Sequence, residues 1–437
     1  MTWLRSLFAL LLLFALATAA AAQPRAPARD SLDVVARDYV QLVLELGERD
    51  EGYVDAYYGP PAWRTAARAR PRTVAQLTVG ARQLEARLQA IRTRPAQQID
   101  RRKLFLAAQI TAAITRLRML QGERLSFREE AIGLYGVDPP LRPLREFDAV
   151  LSRIDRLVPG DGPLARRVDA YMDRFVVPRA RLDAVMRAAI AECRRRTVAH
   201  IPLPRGEHFT LEFVTGRSWS GYNWYQGHYS SLIQVNTDQP VRLGRAIDLG
   251  CHEGYPGHHA YNMLLERNLA RGRGWVEYMV YPLYSPQSFI AEGSANYGIE
   301  LAFPGDERLA FERRALYPLA GISSQGAETY IRLQDAIRDL SGARIAIAAD
   351  YLDGRIDRAE AIRLTERYSL MSEARATQSI AFTDQYRSYV INYGLGRDLV
   401  AAFIQWGGEA DPATRWGRMS RMLSEPFLPG GLQPVLH

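Results

Sequence analysis

Seven histidines occur in the 437 residues, and three of them fall in one short string, Cys251-His252-Glu253-Gly254-Tyr255-Pro256-Gly257-His258-His259. Imidazole is a common metal ligand, and a glutamate beside a ligating histidine can take a proton from water. The string therefore reads as a hydrolytic zinc site. The usual spacing puts two ligands at i and i+4 on one helix face. Here the residue at i+4 from His252 is Pro256, which has no amide to donate to the His252 carbonyl. On an unbroken helix His258 would point roughly 240° around from His252. His259 would share the face of His252 but lie about 10.5 Å further along. A shared ion requires a kink or bulge at Pro256-Gly257 that absorbs two residues. Two inserted residues are the smaller distortion and favour His258 as ligand, leaving His259 to face the cleft, make an outer contact or serve as the alternative ligand.

A catalytic zinc usually has three protein ligands and one open position. The third candidate is Glu292, in Ser285-Pro286-Gln287-Ser288-Phe289-Ile290-Ala291-Glu292-Gly293-Ser294-Ala295-Asn296-Tyr297. Ser285 before Pro286 predicts a helix start, and the small residues around Glu292 would let that helix approach the histidine segment closely. The competing reading is a surface glutamate, but a solvated turn should carry more charge than this one. Asp248, one turn before His252, reads either as an outer carboxylate holding its imidazole N–H or as a helix-surface residue. His200, His208 and His228 stand singly and read as structural.

The elements that must position these residues are mostly helical. Leu32, Val35, Tyr39, Leu42 and Leu46 recur at helical steps behind a Ser31 cap. Helical periodicity returns over 74–91, 99–120 and 164–193, then over 243–251, 288–301, 328–340, 345–352, 358–368 and 399–406. Tyr57 to Trp63 reads as an aromatic turn, and Pro159 to Pro163 as a loop. Residues 208–214 and 231–236 alternate as strands, which predicts a small β-hairpin. Between them Trp219 to Tyr225 forms an aromatic stretch, read as core or as cleft lining. The expectation is a mainly α chain with a minor β element.

Composition bounds the rest. The chain is 47% hydrophobic and 24% charged, which excludes wholesale disorder. Its formal charge of +8 is carried by arginine, with Lys103 the single lysine. The basic runs are short and lie in amphipathic stretches, so no nucleic-acid partner is expected. Residues 1–22 have the form of a secretory signal: Arg5, an uncharged apolar run, then Ala20-Ala21-Ala22 before Gln23. This predicts a periplasmic or secreted mature chain, residues 23–437, as one helical domain without stable membrane insertion. Export would permit a Cys193–Cys251 bridge, although two buried thiols fit the sequence equally well.

The His-Glu-x-x-Pro-Gly-His-His string, with Ala291-Glu292-Gly293 on a later helix, resembles the bacterial "domain of unknown function 885" family. The resemblance implies a mainly helical, zincin-like metallopeptidase architecture distantly like gluzincin carboxypeptidases. It also implies His252, His258 and Glu292 as ligands of one zinc ion, with Glu253 as the base. The family's C-terminal Tyr-x-x-Gly is matched by Tyr393-Gly394-Leu395-Gly396. Two departures are Arg387-Ser388-Tyr389-Val390, where a Pro-Gly-Gln-Ala run is expected, and Ser294 in place of a tryptophan. The expected activity is hydrolysis of a peptide or small amide by zinc-activated water. Glu253 would carry the proton, and Tyr393, with Tyr386 and Tyr389 as substitutes, would donate to the oxyanion. The alternatives are a hydrolase of non-peptide amides or esters and a catalytically silent metal-containing binding protein.

Overall fold

The computed structural model of the protein describes residues 31–93, 98–217, 219–408 and 411–432. The secretory-signal segment, residues 1–22, lies outside the described residues. The architecture is mainly α with two small sheets. Among the described residues, no helix is long and apolar enough to cross a membrane.

The first helix, Leu32–Gly47, starts where its cap predicts, with the Val34 amide donating to Ser31 Oγ. Its apolar face packs on Val74–Ala90 and Gln98–Leu120, two helices that the periodicity also locates. The helix expected over 164–193 is instead two, Leu164–Asp173 and Arg179–Val198. Pro178 disfavours helical backbone in the residue before it. The intervening Val177 amide bonds to the Val241 carbonyl at 2.9 Å. The aromatic turn is shorter than expected: Tyr58-Gly59-Pro60 links strand β1, Val54–Tyr57, to a helix from Pro61 to Ala69 that takes in Trp63.

The larger sheet contains the expected hairpin, but with different partners. Strands β2 (His208–Val214), β3 (Gly221–Gly227) and β4 (Ser230–Asn236) lie in the order β2-β4-β3. The two segments read as hairpin partners, β2 and β4, run parallel, with His208 opposite Ser230. The aromatic stretch is itself β3, antiparallel to β4. It joins β4 through His228 and Tyr229, whose φ angles of 55° and 61° suit a tight two-residue turn. Its glycines disguised a strand whose alternate residues Asn223, Tyr225 and Gly227 are buried. The smaller sheet pairs β1 with β5, Val280–Pro282.

The helix Pro286–Ala302, called the glutamate helix below, is buried on nearly every side. A helix so poor in charge has no face to present to water and sits at the centre. Its main neighbour is Ile391–Gln405, the tyrosine helix. A second apolar cluster around Phe147, Ile154, Leu333, Tyr368 and Ile380 packs the helices within 148–173 against those within 327–386.

Candidate metal centre

The required distortion occurs, and it begins earlier than the proline. The helix Leu243–Leu249 widens into a π-helical turn over Gly250–Gly254, leaves helical geometry at Tyr255 and restarts as His258–Leu265. The Tyr255–Pro256 bond is cis. At Gly257 the backbone folds back on the turn: its amide donates to the Cys251 carbonyl at 3.0 Å. A β-carbon there would lie 1.8 Å from the His252 carbonyl oxygen. Only glycine can close this kink. The turn is also tied down covalently, because Cys193 on Arg179–Val198 bonds to Cys251, which settles the open reading of the two cysteines in favour of a bridge.

The kink brings His258 to His252, with their Nε2 atoms 3.1 Å apart. Glu292 completes the group: its carboxylate oxygens lie 3.3 Å from His252 Nε2 and 3.5 Å from His258 Nε2. Donors about 2.0–2.1 Å from a tetrahedrally held ion stand about 3.3 Å from one another, so the three separations match such a cage. Glu292 Oε2 is buried without a hydrogen-bond partner among the described residues, although its carboxylate is held well below the usual range. Burial opposes that shift, and the two histidines outweigh it. The same pairing lifts His258 to about 9 against its burial. A buried carboxylate and two facing imidazoles satisfy one another better around a cation than alone. The three residues fit a small divalent ion.

Glu253 is buried but is not one of the three donors. Burial raises its carboxyl, opposed by His252 and His258. Its side chain points at the edge strand: a β-carbon on Gly221 would stand 2.9 Å from Glu253 Oε1. Asn223 Nδ2 holds the Glu253 carbonyl at 2.7 Å. Strand β3 thus abuts Glu253.

His259 turns the other way and neither faces the cleft nor offers an alternative ligand. It is fully buried, with Nδ1 2.7 Å from Ser231 Oγ and Nε2 3.1 Å from Glu207 Oε2. Burial keeps it below its ordinary pKa, hence neutral, so Nε2–H donates to Glu207 and Nδ1 accepts from Ser231. Glu207 also accepts from Tyr255 and Arg194 and is held down at about 2 despite burial. This network braces the restarted helix. Asp248 is corrected too: it accepts from Arg308 Nη1 at 2.9 Å, with Arg245 at 3.6 Å, and those guanidiniums hold its carboxyl low against burial. It serves the packing of Leu243–Leu249.

Of the three C-terminal tyrosines, Tyr389 is committed to Glu292, donating to Oε1 at 2.8 Å. Tyr393 is part-exposed, lies within charge reach of Glu292 and Glu253, and is kept protonated by burial. Sequence reasoning missed Asp55 on β1. It accepts a hydrogen bond from the Tyr222 hydroxyl, lies among His258, Glu292 and Glu253, and is raised by burial to about 7. No local signal marks it, since Val54-Asp55-Ala56-Tyr57 is an ordinary short strand nearly two hundred residues before the histidines. The small residues around Glu292 let its helix meet the histidine segment, as expected, and the tyrosine helix as well. A β-carbon on Gly293 would lie 2.6 Å from the Gly396 carbonyl oxygen, so Gly293 admits the tyrosine helix, while Gly298 admits Pro256.

No protein-family model matches the chain, and no curated protein matches it. Among solved structures it is similar to a provisionally assigned lipoprotein from Colwellia psychrerythraea, with 15% identity and a TM-score of 0.50. That likeness covers 79% of this chain and 66% of the other, so the chain spans just under two thirds of that protein's length. A provisionally assigned lipoprotein of unknown function from Shewanella oneidensis gives 13% identity and a TM-score of 0.46, over 84% of this chain and 76% of that one. Trypanosoma cruzi metallocarboxypeptidase 1 gives 13% and 0.42, over 90% and 89%. The first likeness bears on the fold alone, and the two weaker ones carry no argument. The class that stands is a mainly helical protein built around a candidate two-histidine, one-glutamate metal centre.

Proposed function

We propose that this protein is an exported zinc hydrolase acting on peptide bonds, of the "domain of unknown function 885" kind, with His252, His258 and Glu292 holding one zinc ion. The observation that carries the reading is the mutual approach of those three side chains to 3.1–3.5 Å, with the carboxyl of Glu253 buried beside them and outside the donor set. Two imidazoles and a carboxylate are a donor set suited to zinc, which acidifies water and polarises a carbonyl when bound.

The remaining chemistry belongs to the chain. Glu253, desolvated and packed against β3, accepts a proton on its carboxylate and returns it to the leaving amine. Tyr393 presents a protonated phenol to the oxygen that gains charge. Tyr389 fixes the orientation of Glu292. Export is supported by the signal-like residues 1–22 and by the bridged Cys193 and Cys251, a bond that persists in oxidising compartments.

Metal analysis of the purified mature chain, followed by digestion of a mixed peptide library with and without chelator, tests the reading. We expect one zinc per chain and chelator-sensitive cleavage. Zinc without cleavage of any peptide would turn the reading towards a non-peptide amide or ester, or towards a silent binding protein. No bound metal would end it.

A further inference from the structure

Buried carboxylates in this protein have basic partners. Among the described residues, Glu277 pairs with Arg102, Glu312 with Arg308, Glu266 with Arg271 and Glu130 with Arg387. Glu292 faces His252 and His258. That is the expected pattern, because a desolvated charge without a partner is costly. Glu253, only 4% exposed, is the exception: its carboxylate makes no hydrogen bond or ion pair among the described residues. The guanidinium within its charge range, Arg245, is bonded to Ser220 Oγ at 2.9 Å and lies 3.6 Å from Asp248.

Asp55 on β1 is a second carboxylate without a cation. The Tyr222 hydroxyl donates to its Oδ1, and Oδ2 has no partner among the described residues. The charged groups that act on Asp55 are His258, Glu292 and Glu253, with no arginine or lysine among them. Strand β1 packs on β3, where Gly221 and Tyr222 are consecutive: the first abuts Glu253 and the second holds Asp55. The Tyr222 ring continues to Trp219 and Trp224, with ring centres 5.4 and 4.4 Å away, and Trp224 is 42% exposed. An aromatic strip thus runs from the part-exposed Asp55 to solvent. Ring faces of this kind attract cations.

We infer that Asp55 receives a primary ammonium group of the substrate, its N-terminal amine or a lysine side chain, next to the bond that is cleaved; this rests on the hydrolase reading above. Charge counting gives the sign. A divalent ion held by two neutral imidazoles and one carboxylate keeps a single positive charge, while Glu253 and Asp55 bring two negative ones. A monocation balances the remainder, whereas an anion would meet the carboxylates of Asp55, Glu253 and Glu292. An ammonium also supplies the donors that Asp55 Oδ2 lacks, and the proposed mechanism leaves Asp55 free to accept them. A purely structural Asp55, serving only to tie β1 to Tyr222, would leave binding indifferent to the charge of the ligand.

Two measurements on the zinc-loaded full chain separate these readings. The first is calorimetry with hydroxamates, which share one metal-binding group. Alanine hydroxamate against N-acetylalanine hydroxamate reads the N-terminal source, and N-acetyllysine hydroxamate against N-acetylnorleucine hydroxamate reads the side-chain source. In at least one pair the ammonium-bearing member should bind roughly 10- to 100-fold tighter, and Asp55→Asn should bring that pair level. Tyr222→Phe, which keeps the carboxylate but removes its hydroxyl donor, should reduce the preference without abolishing it. Equal binding within both pairs by the wild type, or a preference that survives Asp55→Asn, would overturn the inference. So would a second zinc ion per chain that Asp55→Asn removes, and failure of all four probes to bind would overturn the hydrolase reading with it. The second measurement is digestion of the peptide library before and after acetylation of its amines, which should suppress cleavage. Undiminished cleavage sinks the inference while leaving the hydrolase reading intact. An ammonium preference lost in Asp55→Asn, without cleavage of any peptide, keeps the site and ends the peptidase reading.

Discussion

Glu253 adjoins the candidate ligand His252 in sequence, yet its side chain leaves the donor group and turns to Gly221 of the edge strand. A carboxylate placed there can move a proton without spending its lone pairs on an ion. Glu253→Gln should therefore keep about one zinc per chain while turnover falls by roughly 10²-fold or more, the usual cost of losing a positioned proton carrier. Metal content measured on the same preparation as the rate distinguishes a base from a ligand. Next in line, His258 and His259 show how strongly one residue of register matters. One faces the metal centre, while the other closes a buried network with Ser231 and Glu207.

At the level of elements, the centre depends on two close approaches that only glycine permits. Gly257 lets the π turn fold onto itself, and Gly293 lets the glutamate helix meet the tyrosine helix backbone to backbone. The Gly293 approach can be tested without touching any donor atom. In Gly293→Ala the new methyl would stand 2.6 Å from the Gly396 carbonyl oxygen, against backbone that cannot rotate away. The helices must separate, costing about 1–3 kcal/mol in stability, and Glu292 next door must shift with them. Denaturant unfolding should show the loss, and zinc titration should show weakened affinity. A variant with wild-type stability would mean that the interhelical distance is not what sets the position of Glu292.

Across the whole molecule, the candidate ligands come from chain segments packed by different means. The histidine segment is bridged to Arg179–Val198 by the disulfide, and the glutamate helix is fixed by burial. Cys193 and Cys251 are 58 residues apart, so the bridge removes loop entropy from the unfolded chain worth about 4 kcal/mol in the loop-closure account. Cys251 also immediately precedes His252. The Cys193→Ser, Cys251→Ser double variant should lose a few kcal/mol in chemical unfolding and bind zinc more weakly. Unchanged unfolding with or without reductant would show that packing alone holds the turn.

Much of the centre could be read directly from residue type and spacing. A helix-breaking proline at i+4 cannot coexist with a shared ion unless the backbone is kinked, so His252, His258 and the need for distortion follow from local stereochemistry. Ser285, Pro286 and the run of small residues likewise marked the glutamate helix and its close packing. Contacts between distant segments were decided only by the tertiary structure. Asp248 chose Arg308 over His252, and His259 chose Ser231 and Glu207 over the cleft. The strand 208–214 paired parallel with 230–236 because β3 took the antiparallel edge between them in sequence. Asp55 carries no local signature, since a single charge on a short strand looks the same whether it faces water or the candidate metal centre. Local sequence restricts backbone shape and periodicity, while the neighbours of a side chain are set by which surfaces the whole chain must bury together.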